Sequence, residues 1–398
     1  MKWSKTPEVP IQLGNDTVTL PARAVSYKVR LSPLSHPVPV WNPSCILRYT
    51  ASSHTFNSIM TLPKTYKAWQ VEKAGGPLVQ KELELKKPGP GQVLVKVLAC
   101  GVCHSDTGMQ QGHFGDVFPR VPGHEIVGDV VELGDGVTKV KNGDRVGGPW
   151  HGGHDQSCRS CQRGQFQCCD NVAINGVSQD GGYAQYVLLR AEAVVRVPSN
   201  VDPVEVAPLL CAGVTVFNGI RKMNIEQGNL VAVQGLGGLG HLAVQYANKM
   251  GYKVAALSSG ASKKDFATKL GAHEYIDSSA DDPVKKLTAL GGAALIIATA
   301  PNPKAIAPLT AALQPGGKLL ILAPVGTVEI NSVDLIIGGR SVHGWPSGHA
   351  LDSEEAIDFA TTHGVKCMVE PFGFDKATEA VEHMLSNKVR FRGVLVVE

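Results

Sequence analysis

The stretch LVAVQGLGGLG, residues 230–240, is an apolar strand pattern that runs directly into a glycine-rich turn. An apolar helical period follows over residues 239–250. In such a strand–turn–helix unit the first glycine permits a tight turn, the second lets the backbone approach a pyrophosphate, and the third lets the helix pack closely, with its N-terminus facing the phosphates. The stretch predicts a dinucleotide-binding loop, with a purely structural turn as the alternative, formed by Gly235, Leu236, Gly237, Gly238, Leu239 and Gly240.

Strands and helices continue to alternate after this loop. Residues 253–257 form a second apolar strand pattern, and residues 263–270 have a helical one. This alternation predicts an α/β fold with a parallel, doubly wound sheet. By contrast, residues 66–140 place short β-branched runs between Gly and Pro turns, which predicts a β-rich domain. We expect the final apolar run, residues 393–397, to return to that domain as a strand.

The end of the second strand decides which dinucleotide the loop favours. An acid there would accept hydrogen bonds from a free ribose diol, but the chain has Ser258 and Ser259, followed by Lys263. Hydroxyl donors and positive charge suit a ribose phosphate. We therefore expect NADP in preference to NAD, with the alternative that the lysines here only solvate the next helix.

Two groups of soft ligands indicate metal sites. Cys103, His124 and Cys211 supply two thiols and an imidazole, and such a set with an open fourth position is typical of catalytic zinc. Taken singly, Cys211 also fits a core cysteine and His124 a turn histidine.

The second group has the spacing of a closed, structural zinc site, with two, two and seven intervening residues. It consists of Asp155, Cys158, Cys161 and Cys169. Asp155 is the unusual member, because zinc prefers a thiolate to a carboxylate, and Cys168 or His154 would compete with it. A loop of free thiols is the alternative to a site.

Composition limits the class of protein. The chain has 398 residues, 43% of them hydrophobic, and a mean hydropathy near zero, which fits two or three soluble domains. The formal charge of +3 argues against a nucleic-acid partner. No apolar run approaches the roughly 20 residues that span a bilayer, and no secretory pattern marks the N-terminus. We therefore expect a cytoplasmic protein, and in a reducing compartment the clustered cysteines favour metal binding over disulfides.

Residues 1–60 differ from the rest of the chain. They are proline-rich and have no sustained hydrophobic period, which predicts a poorly ordered N-terminal extension. Their few acids and several Lys, Arg and Ser residues also allow a mitochondrial transit peptide, although the prolines oppose its amphipathic helix. A gene start placed upstream of Met60 is a further explanation.

From about residue 60 onward the chain resembles the zinc-containing medium-chain dehydrogenase/reductase family of alcohol dehydrogenases. The resemblance rests on GVCHSD at residues 101–106, GHE at 123–125, the Asp/Cys loop, LCAG at 210–213 and the glycine loop, in the family's order. It implies a GroES-like β-rich catalytic domain over residues 61–212, a Rossmann domain over 213–348, and a return to the catalytic domain over 349–398. The active-site cleft would lie between the two domains.

The resemblance also implies roles for single residues. Cys103, His124 and Cys211 would bind the catalytic zinc, and Glu125 would be a catalytic carboxylate that can replace the zinc-bound water as a metal ligand. Asp106 would orient His124, and Ser105 would transfer the proton. Further positions match contacts to the cofactor phosphates (His104, Arg392) and bulky residues of the substrate pocket, with simple core as the alternative (Phe114, Trp150).

Two departures from the family pattern matter. Many members carry a proton-passing histidine five residues after the first zinc cysteine, whereas this chain has Gly108. The outer proton path would then run through the cofactor ribose and water, or through another group such as His113, although a plain surface histidine is the alternative there. The other departure is Asp155, in place of the usual first cysteine of the structural site.

These inferences predict an enzyme that transfers a hydride between NADP(H) and a primary alcohol or aldehyde, with zinc as Lewis acid. A preference for NADP predicts that the working direction is reduction. We expect a small-molecule substrate and a homo-oligomer, either dimer or tetramer. The alternatives are an NAD-dependent member, a zinc-independent quinone or enoyl reductase, and a cofactor-binding protein without catalysis.

Overall fold

The computed structural model describes residues 62–386 and 388–397, so the predicted N-terminal extension lies outside the described residues. The strands are, in chain order, β1 (Thr65–Val71), β2 (Leu78–Glu84), β3 (Gln92–Val102), β4 (Ile126–Leu133), β5 (Arg145–Gly148), β6 (His151–Gly153), β7 (Ala173–Ile174), β8 (Tyr186–Arg190), β9 (Val195–Arg196), β10 (Leu230–Gln234), β11 (Lys253–Ser258), β12 (Glu274–Asp277), β13 (Ala293–Ala298), β14 (Leu313–Ile321), β15 (Ser341–Gly344), β16 (Val369–Gly373) and β17 (Arg392–Val396).

The helices connect these strands and cover their faces. They are α1 (His104–Gln110), α2 (Arg159–Gln162), α3 (Pro203–Val206), α4 (Ala212–Lys222), α5 (Gly240–Lys249), α6 (Lys264–Lys269), α7 (Pro283–Ala289), α8 (Pro303–Ile306), α9 (Ser332–Gly338), α10 (Ala350–His363) and α11 (Ala377–Leu385). Short 3-10 helices lie at Phe166–Cys168, Ala207–Leu210, Ala261–Lys263, Ala307–Ala312 and Phe374–Lys376.

Six strands form a parallel sheet in the order β12-β11-β10-β13-β14-β15. All six residues of the central strand β13 are apolar and buried, because helices cover both faces of a sheet of this kind. The strand order reverses between β10 and β13, and ligands of doubly wound sheets bind at this switch point, beyond the carboxyl ends of the strands. The glycine loop leaves β10 at that edge. The predicted doubly wound α/β fold is confirmed.

A second, seven-stranded sheet follows the order β16-β17-β3-β4-β5-β9, with β8 paired to β3. Strand β17, from the end of the chain, runs antiparallel to β3, so that Gly393 lies opposite Val102. This pairing carries Arg392 to the end of β3, next to the turn that holds Cys103.

Helix α10 packs against α4 and α5, which flank the parallel sheet. The Tyr246 hydroxyl donates a hydrogen bond to the Ala356 carbonyl at 3.0 Å, and the Phe359 and Phe217 ring centroids lie 5.4 Å apart. The same helix reaches β9, where Arg196 donates to Glu354 at 2.7 Å. Its contacts thus join both parts of the fold, and the domain boundary at residue 348 stays a prediction.

Among the residues that the structure describes, no single helix is long and apolar enough to cross a membrane. The adjoining helices Pro203–Leu210 and Ala212–Lys222 reach that length and composition only as a pair, bent by 49° at their junction. Most of their residues are buried in the protein core.

Candidate active site

The glycine loop has the backbone geometry that its sequence predicts. Gly235 has a φ of +96°, in the region that favours glycine, and a Cβ at Gly240 would overlap the Gly235 carbonyl oxygen. At Gly237 a Cβ would meet no atom within 4 Å, so the backbone there faces open space. The loop therefore fits the close approach of a dinucleotide pyrophosphate.

The end of β11 lies beside this loop. Ser258 is buried, Ser259 is exposed, and the Lys263 ammonium donates to the Ser258 hydroxyl at 3.3 Å. Two residues of β12 hold the turn that follows β11 at Gly260. The Tyr275 hydroxyl donates to the Gly260 carbonyl at 2.7 Å, and the Asp277 carboxylate accepts from the Gly260 N–H at 2.8 Å. Sequence reasoning missed these two clamping residues, since no local motif marks them.

Four side chains converge at the first candidate metal site. Cys103, His124, Glu125 and Cys211 each offer a ligand atom, and these atoms all lie within 4.8 Å of one another. Cys103 precedes α1, the His-Glu pair precedes β4, and Cys211 precedes α4, so three separate elements build the cluster. Cys103, His124 and Glu125 are buried and Cys211 is half-buried, and a set of two sulfurs, an imidazole nitrogen and a carboxylate oxygen fits zinc.

Asp106 organises this cluster from behind. Its carboxylate lies 2.9 Å from His124 Nδ1 and accepts from the Cys103 N–H at 2.9 Å, the Gly123 N–H at 3.2 Å and the Tyr183 hydroxyl at 3.1 Å. With Nδ1 directed to Asp106, the Nε2 atom of His124 faces the cluster, 3.3 Å from Cys211 Sγ. The sequence carried no signal for Tyr183.

The electrostatics of the cluster favour a cation. Burial opposes protonation of His124, but the Asp106 carboxylate and Cys103 outweigh it and raise the pKa of His124 to about 10. A hydrogen bond from Cys211 holds the pKa of Cys103 well below its usual range. The ring thus sits in a strongly negative environment that a bound metal ion would balance.

Glu125 makes the contact that joins the metal cluster to the end of the chain. Its Oε1 atom accepts a hydrogen bond from the Arg392 guanidinium, while its Oε2 atom is buried and has no hydrogen-bond partner among the described residues. A Cβ at Gly101 would overlap that carboxylate, so glycine is required there. Arg392 also lies against Gly238, which brings the glycine loop and the metal cluster into contact through one side chain.

The predicted pocket aromatics lie beside the cluster. Trp150 packs edge-on against His124, with ring centroids 4.8 Å apart, and Phe114 lies 5.8 Å from Trp150. Trp150 is half-buried and Phe114 is 40% exposed, so the two rings border the metal cluster on one side and remain partly accessible to solvent.

The first turn of α1 carries the remaining predicted residues. His104 is exposed and Ser105 is half-buried, directly between Cys103 and Asp106. Farther along, a Cβ at Gly108 would lie 3.5 Å from the Nδ1 atom of His113. The imidazole of His113 therefore lies next to the position where the expected relay histidine is missing.

The second candidate metal site also assembles. Asp155, Cys158, Cys161 and Cys169 place their ligand atoms within 4.8 Å of one another, and Cys158 Sγ lies 3.8 Å from Cys169 Sγ. The predicted competing ligands, Cys168 and His154, are not in this group; Cys168 is exposed, and the His154 ring stacks on Phe166.

The Asp155 carboxylate is held in place by its neighbours. It accepts from the backbone N–H groups of Cys158 at 3.0 Å and Ser157 at 2.8 Å, and from the Asn171 amide at 2.7 Å. These bonds, led by that from Cys158, lower the pKa of Asp155. An oriented, charged carboxylate beside three sulfurs fits a structural zinc site.

Comparison with known proteins agrees with this geometry. The model of the alcohol dehydrogenase GroES-like domain matches residues 89–199, and that of the zinc-binding dehydrogenase matches residues 238–362. The chain is 54% identical over 337 residues to the alcohol dehydrogenase patD of Penicillium expansum, covering 85% of this chain and 99% of the relative. The chain belongs to the zinc-dependent medium-chain dehydrogenase/reductase family.

Solved structures place this dehydrogenase in the same family. A cinnamyl alcohol dehydrogenase from Sorghum bicolor superposes with a TM-score of 0.76 at 34% identity, covering 84% of this chain and 98% of that one. A structure named CAD from Helicobacter pylori, complexed with NADP(H), gives a TM-score of 0.73 at 27% identity, covering 84% and 99%.

The medium-chain dehydrogenase therefore combines a GroES-like domain with a Rossmann-type domain, and both the family and the fold are as the sequence predicted. It is an NAD(P)-dependent oxidoreductase with alcohol dehydrogenase or aldehyde reductase activity on small molecules.

Proposed function

We propose that this dehydrogenase uses NADP(H), holds two zinc ions per chain and works chiefly as a reductase of primary aldehydes. The observation that carries the cofactor preference is the end of β11, where Ser258, Ser259 and Lys263 stand in place of an acid. The lysine ammonium and two hydroxyls complement a ribose phosphate, and these three side chains include no carboxylate to accept both hydrogen bonds of a ribose diol.

At the metal cluster, Cys103, His124 and Cys211 would hold zinc, with Glu125 close by. Bound zinc supplies Lewis-acid polarisation of the substrate oxygen. The side chains around the zinc site have three roles. Asp106 fixes the tautomer of His124, and Arg392 neutralises the Glu125 carboxylate. Trp150 and Phe114 limit the pocket to a narrow carbonyl compound or alcohol. Ser105 transfers the proton, with the exposed imidazole of His113 beside the path to solvent.

Kinetics with the two dinucleotides test the cofactor proposal. The purified full chain is assayed with a benzylic, a cinnamyl and an aliphatic aldehyde, and kcat/KM is compared for NADPH and NADH. We expect NADPH to be favoured by about tenfold or more, which corresponds to roughly 1.4 kcal/mol of binding energy at the ribose phosphate. An NADH preference would overturn the proposal and leave the family activity intact.

Metal analysis tests the two zinc ions. We expect two zinc ions per chain in the wild type and one in each of two matched variants, C103A and C161A. C103A should lack activity while it keeps the Asp155 site, and C161A should keep activity at low temperature. A wild type with one zinc per chain would reject the structural site.

The outer proton path is tested at His113. An H113A variant should turn over more slowly, and added imidazole should restore part of the rate, because it replaces the missing base. Wild-type rates in H113A would assign the path to the cofactor ribose and water alone.

A homo-oligomer, dimer or tetramer, is also part of the proposal. Strand β15 is an edge of the parallel sheet, and the preceding helix α9 exposes Val333, Ile336 and Ile337, the last two by 78% and 83%. An unpaired sheet edge next to exposed apolar side chains favours burial against a second copy.

We propose a cytoplasmic location, which the free cysteines support. The eight cysteines within the described residues are all unpaired, as expected in a reducing compartment. Fluorescent fusions to the C-terminus of the full chain and of a form lacking residues 1–60 test this. Mitochondrial signal from the full chain alone would assign residues 1–60 as a transit peptide.

A further inference from the structure

His241 is a buried histidine in the first turn of α5, one residue after the glycine loop, and it is 0% exposed. Its Nδ1 atom lies 3.1 Å from the Gly237 carbonyl oxygen, and its Nε2 atom lies 3.2 Å from the Met368 backbone nitrogen. A carbonyl only accepts and a backbone N–H only donates, so both bonds require a neutral ring with its proton on Nδ1. Burial favours that form, since it lowers the pKa of His241 to about 4.

Met368 continues the connection toward the active site. Its carbonyl oxygen accepts from the backbone N–H groups of Phe391 at 2.9 Å and Arg392 at 3.2 Å. The Arg392 side chain then contacts Gly238 of the loop and donates to the Glu125 carboxylate. Hydrogen bonds and the backbone of Met368 thus connect the Gly237 carbonyl, through the His241 ring, to the backbone of Arg392 beside the metal cluster.

Aromatic stacking also holds Phe391, the residue that precedes Arg392, against the cofactor-binding half. The His241 and Phe391 ring centroids lie 5.0 Å apart with planes inclined by 15°, and those of Phe391 and Phe266 lie 5.0 Å apart with planes inclined by 16°. Phe391 therefore lies in contact with one ring from α5 and one from α6. Because Arg392 is the next residue, its backbone position depends on both helices of the cofactor-binding half.

We propose that His241 is a positioning residue that couples the glycine loop to Arg392, so that dinucleotide binding depends on its two hydrogen bonds. It acts through Gly237 on one side and through Met368 on the other. The inference uses the NAD(P) dependence of the family and holds for either dinucleotide, so it does not rest on the NADP preference.

Four variants separate the contributions. H241F keeps a ring that can stack on Phe391 but removes both hydrogen bonds. H241N places an amide near the Nδ1 position and keeps the bond to Gly237, whereas H241Q places one near the Nε2 position and keeps the bond to Met368. The matched control is Q245M. Gln245 lies one turn farther along α5 and bonds the same segment at Lys366 (2.9 and 3.0 Å) and the His241 backbone carbonyl (3.0 Å), but it bonds neither the His241 ring nor the glycine loop.

Dissociation constants for NADPH and NADH are measured by fluorescence titration of the zinc-loaded chain, alongside the melting temperature without ligand. We expect H241F to weaken binding about tenfold and to raise the KM for the dinucleotide, with kcat at saturation within about threefold of wild type. Q245M should bind within twofold of wild type, and H241N and H241Q should lie between H241F and wild type.

A double variant tests whether His241 acts through Arg392. If it does, H241F/R392M should bind the dinucleotide about as weakly as R392M alone, because the effects of two substitutions on one path do not add.

Full additivity of the two losses in affinity would overturn the coupling. Wild-type affinity in H241F, or equal losses in H241F and Q245M that follow the melting temperature, would overturn it too. If H241F does not fold, wild-type dinucleotide affinity in both H241N and H241Q would overturn the coupling. A wild type that binds neither dinucleotide would instead contradict the family activity.

Discussion

The Arg392 guanidinium donates a hydrogen bond to Glu125 across a separation of 267 residues in sequence, and both side chains are buried. The pair closes the metal cluster on the side of the cofactor loop. Removing one partner leaves a buried charge without compensation, which generally costs more than the intact pair contributes.

R392M tests the energetic role of this pair. Because Glu125 is 0% exposed, the substitution should lower the free energy of unfolding by about 3–5 kcal/mol, the range for a broken buried pair. The double variant R392M/E125Q should recover at least half of that loss, since the buried negative charge is then gone. Urea unfolding of the three proteins at pH 7.5 measures both. A double variant no more stable than R392M would contradict this account.

Acid should destabilise the protein partly through His241. The pKa of this residue is about 4 in the folded protein and 6.5 in a free histidine, so between these values the unfolded chain binds a proton that the folded chain does not. Stability is therefore fully present above pH 6.5 and falls as the pH drops toward 4. From pH 7.5 to pH 5 the loss from this residue is about 2 kcal/mol.

H241F removes this component, and the comparison with wild type isolates it. His151, whose pKa burial lowers to about 3, acts in the same direction in both proteins and cancels in the difference. Urea unfolding at pH 7.5 and pH 5 should show a smaller loss in H241F. Equal losses in the two proteins would show that His241 already titrates normally.

The sequence was most informative where a motif is local. The strand at residues 230–234, the glycine loop and the helix after it follow one another in the chain, so their pattern predicted the parallel sheet and the dinucleotide loop. Cys103 and Cys211 are far apart in sequence; their ligand chemistry suggested one zinc site, and the family resemblance supported that grouping. In the structure the two cysteines meet because β3 ends just before Cys103 and α4 begins just after Cys211, and these two points lie at the same cleft.

Other contacts had no signal in the sequence. His241 lies within an apolar helical period, where a single polar residue has no distinctive pattern, and its partner Met368 is 127 residues away. The clamp formed by Tyr275 and Asp277 depends on the order of parallel strands, which hydrophobic periodicity does not specify. Side chains that act through distant backbone groups therefore needed the structure.

A charge at the end of β11 should reverse the cofactor preference. S258D would place a carboxylate next to Lys263, where it accepts hydrogen bonds from a ribose diol and repels a ribose phosphate. We expect the ratio of kcat/KM for NADPH to that for NADH to fall by about 100-fold, or roughly 2.7 kcal/mol. S258A serves as the control, because it removes the hydroxyl without adding charge. An unchanged ratio in S258D would place the ribose elsewhere.

The Asp155 site should depend on the residue that orients its carboxylate. In N171A the Oδ2 atom of Asp155 loses its hydrogen bond, and loss of such a partner typically weakens metal affinity by about 10- to 100-fold. Zinc release from N171A to a chromogenic chelator should be about 10- to 100-fold faster than from wild type, whereas the control variant C168A should release zinc at the wild-type rate. Equal release rates in N171A and wild type would show that Asp155 is not a ligand.

Helix α9 offers a direct test of the oligomer. I336E/I337E puts two carboxylates on the exposed apolar face of α9, and charge there would oppose burial against a second copy. Because these side chains are 78% and 83% exposed, the monomer fold should keep its stability to within about 0.5 kcal/mol. Light scattering should show a smaller species for the variant, while L351E, at another exposed apolar residue, should keep the wild-type mass. A variant with unchanged mass would exclude α9 as the interface, and a monomeric wild type would reject the oligomer itself.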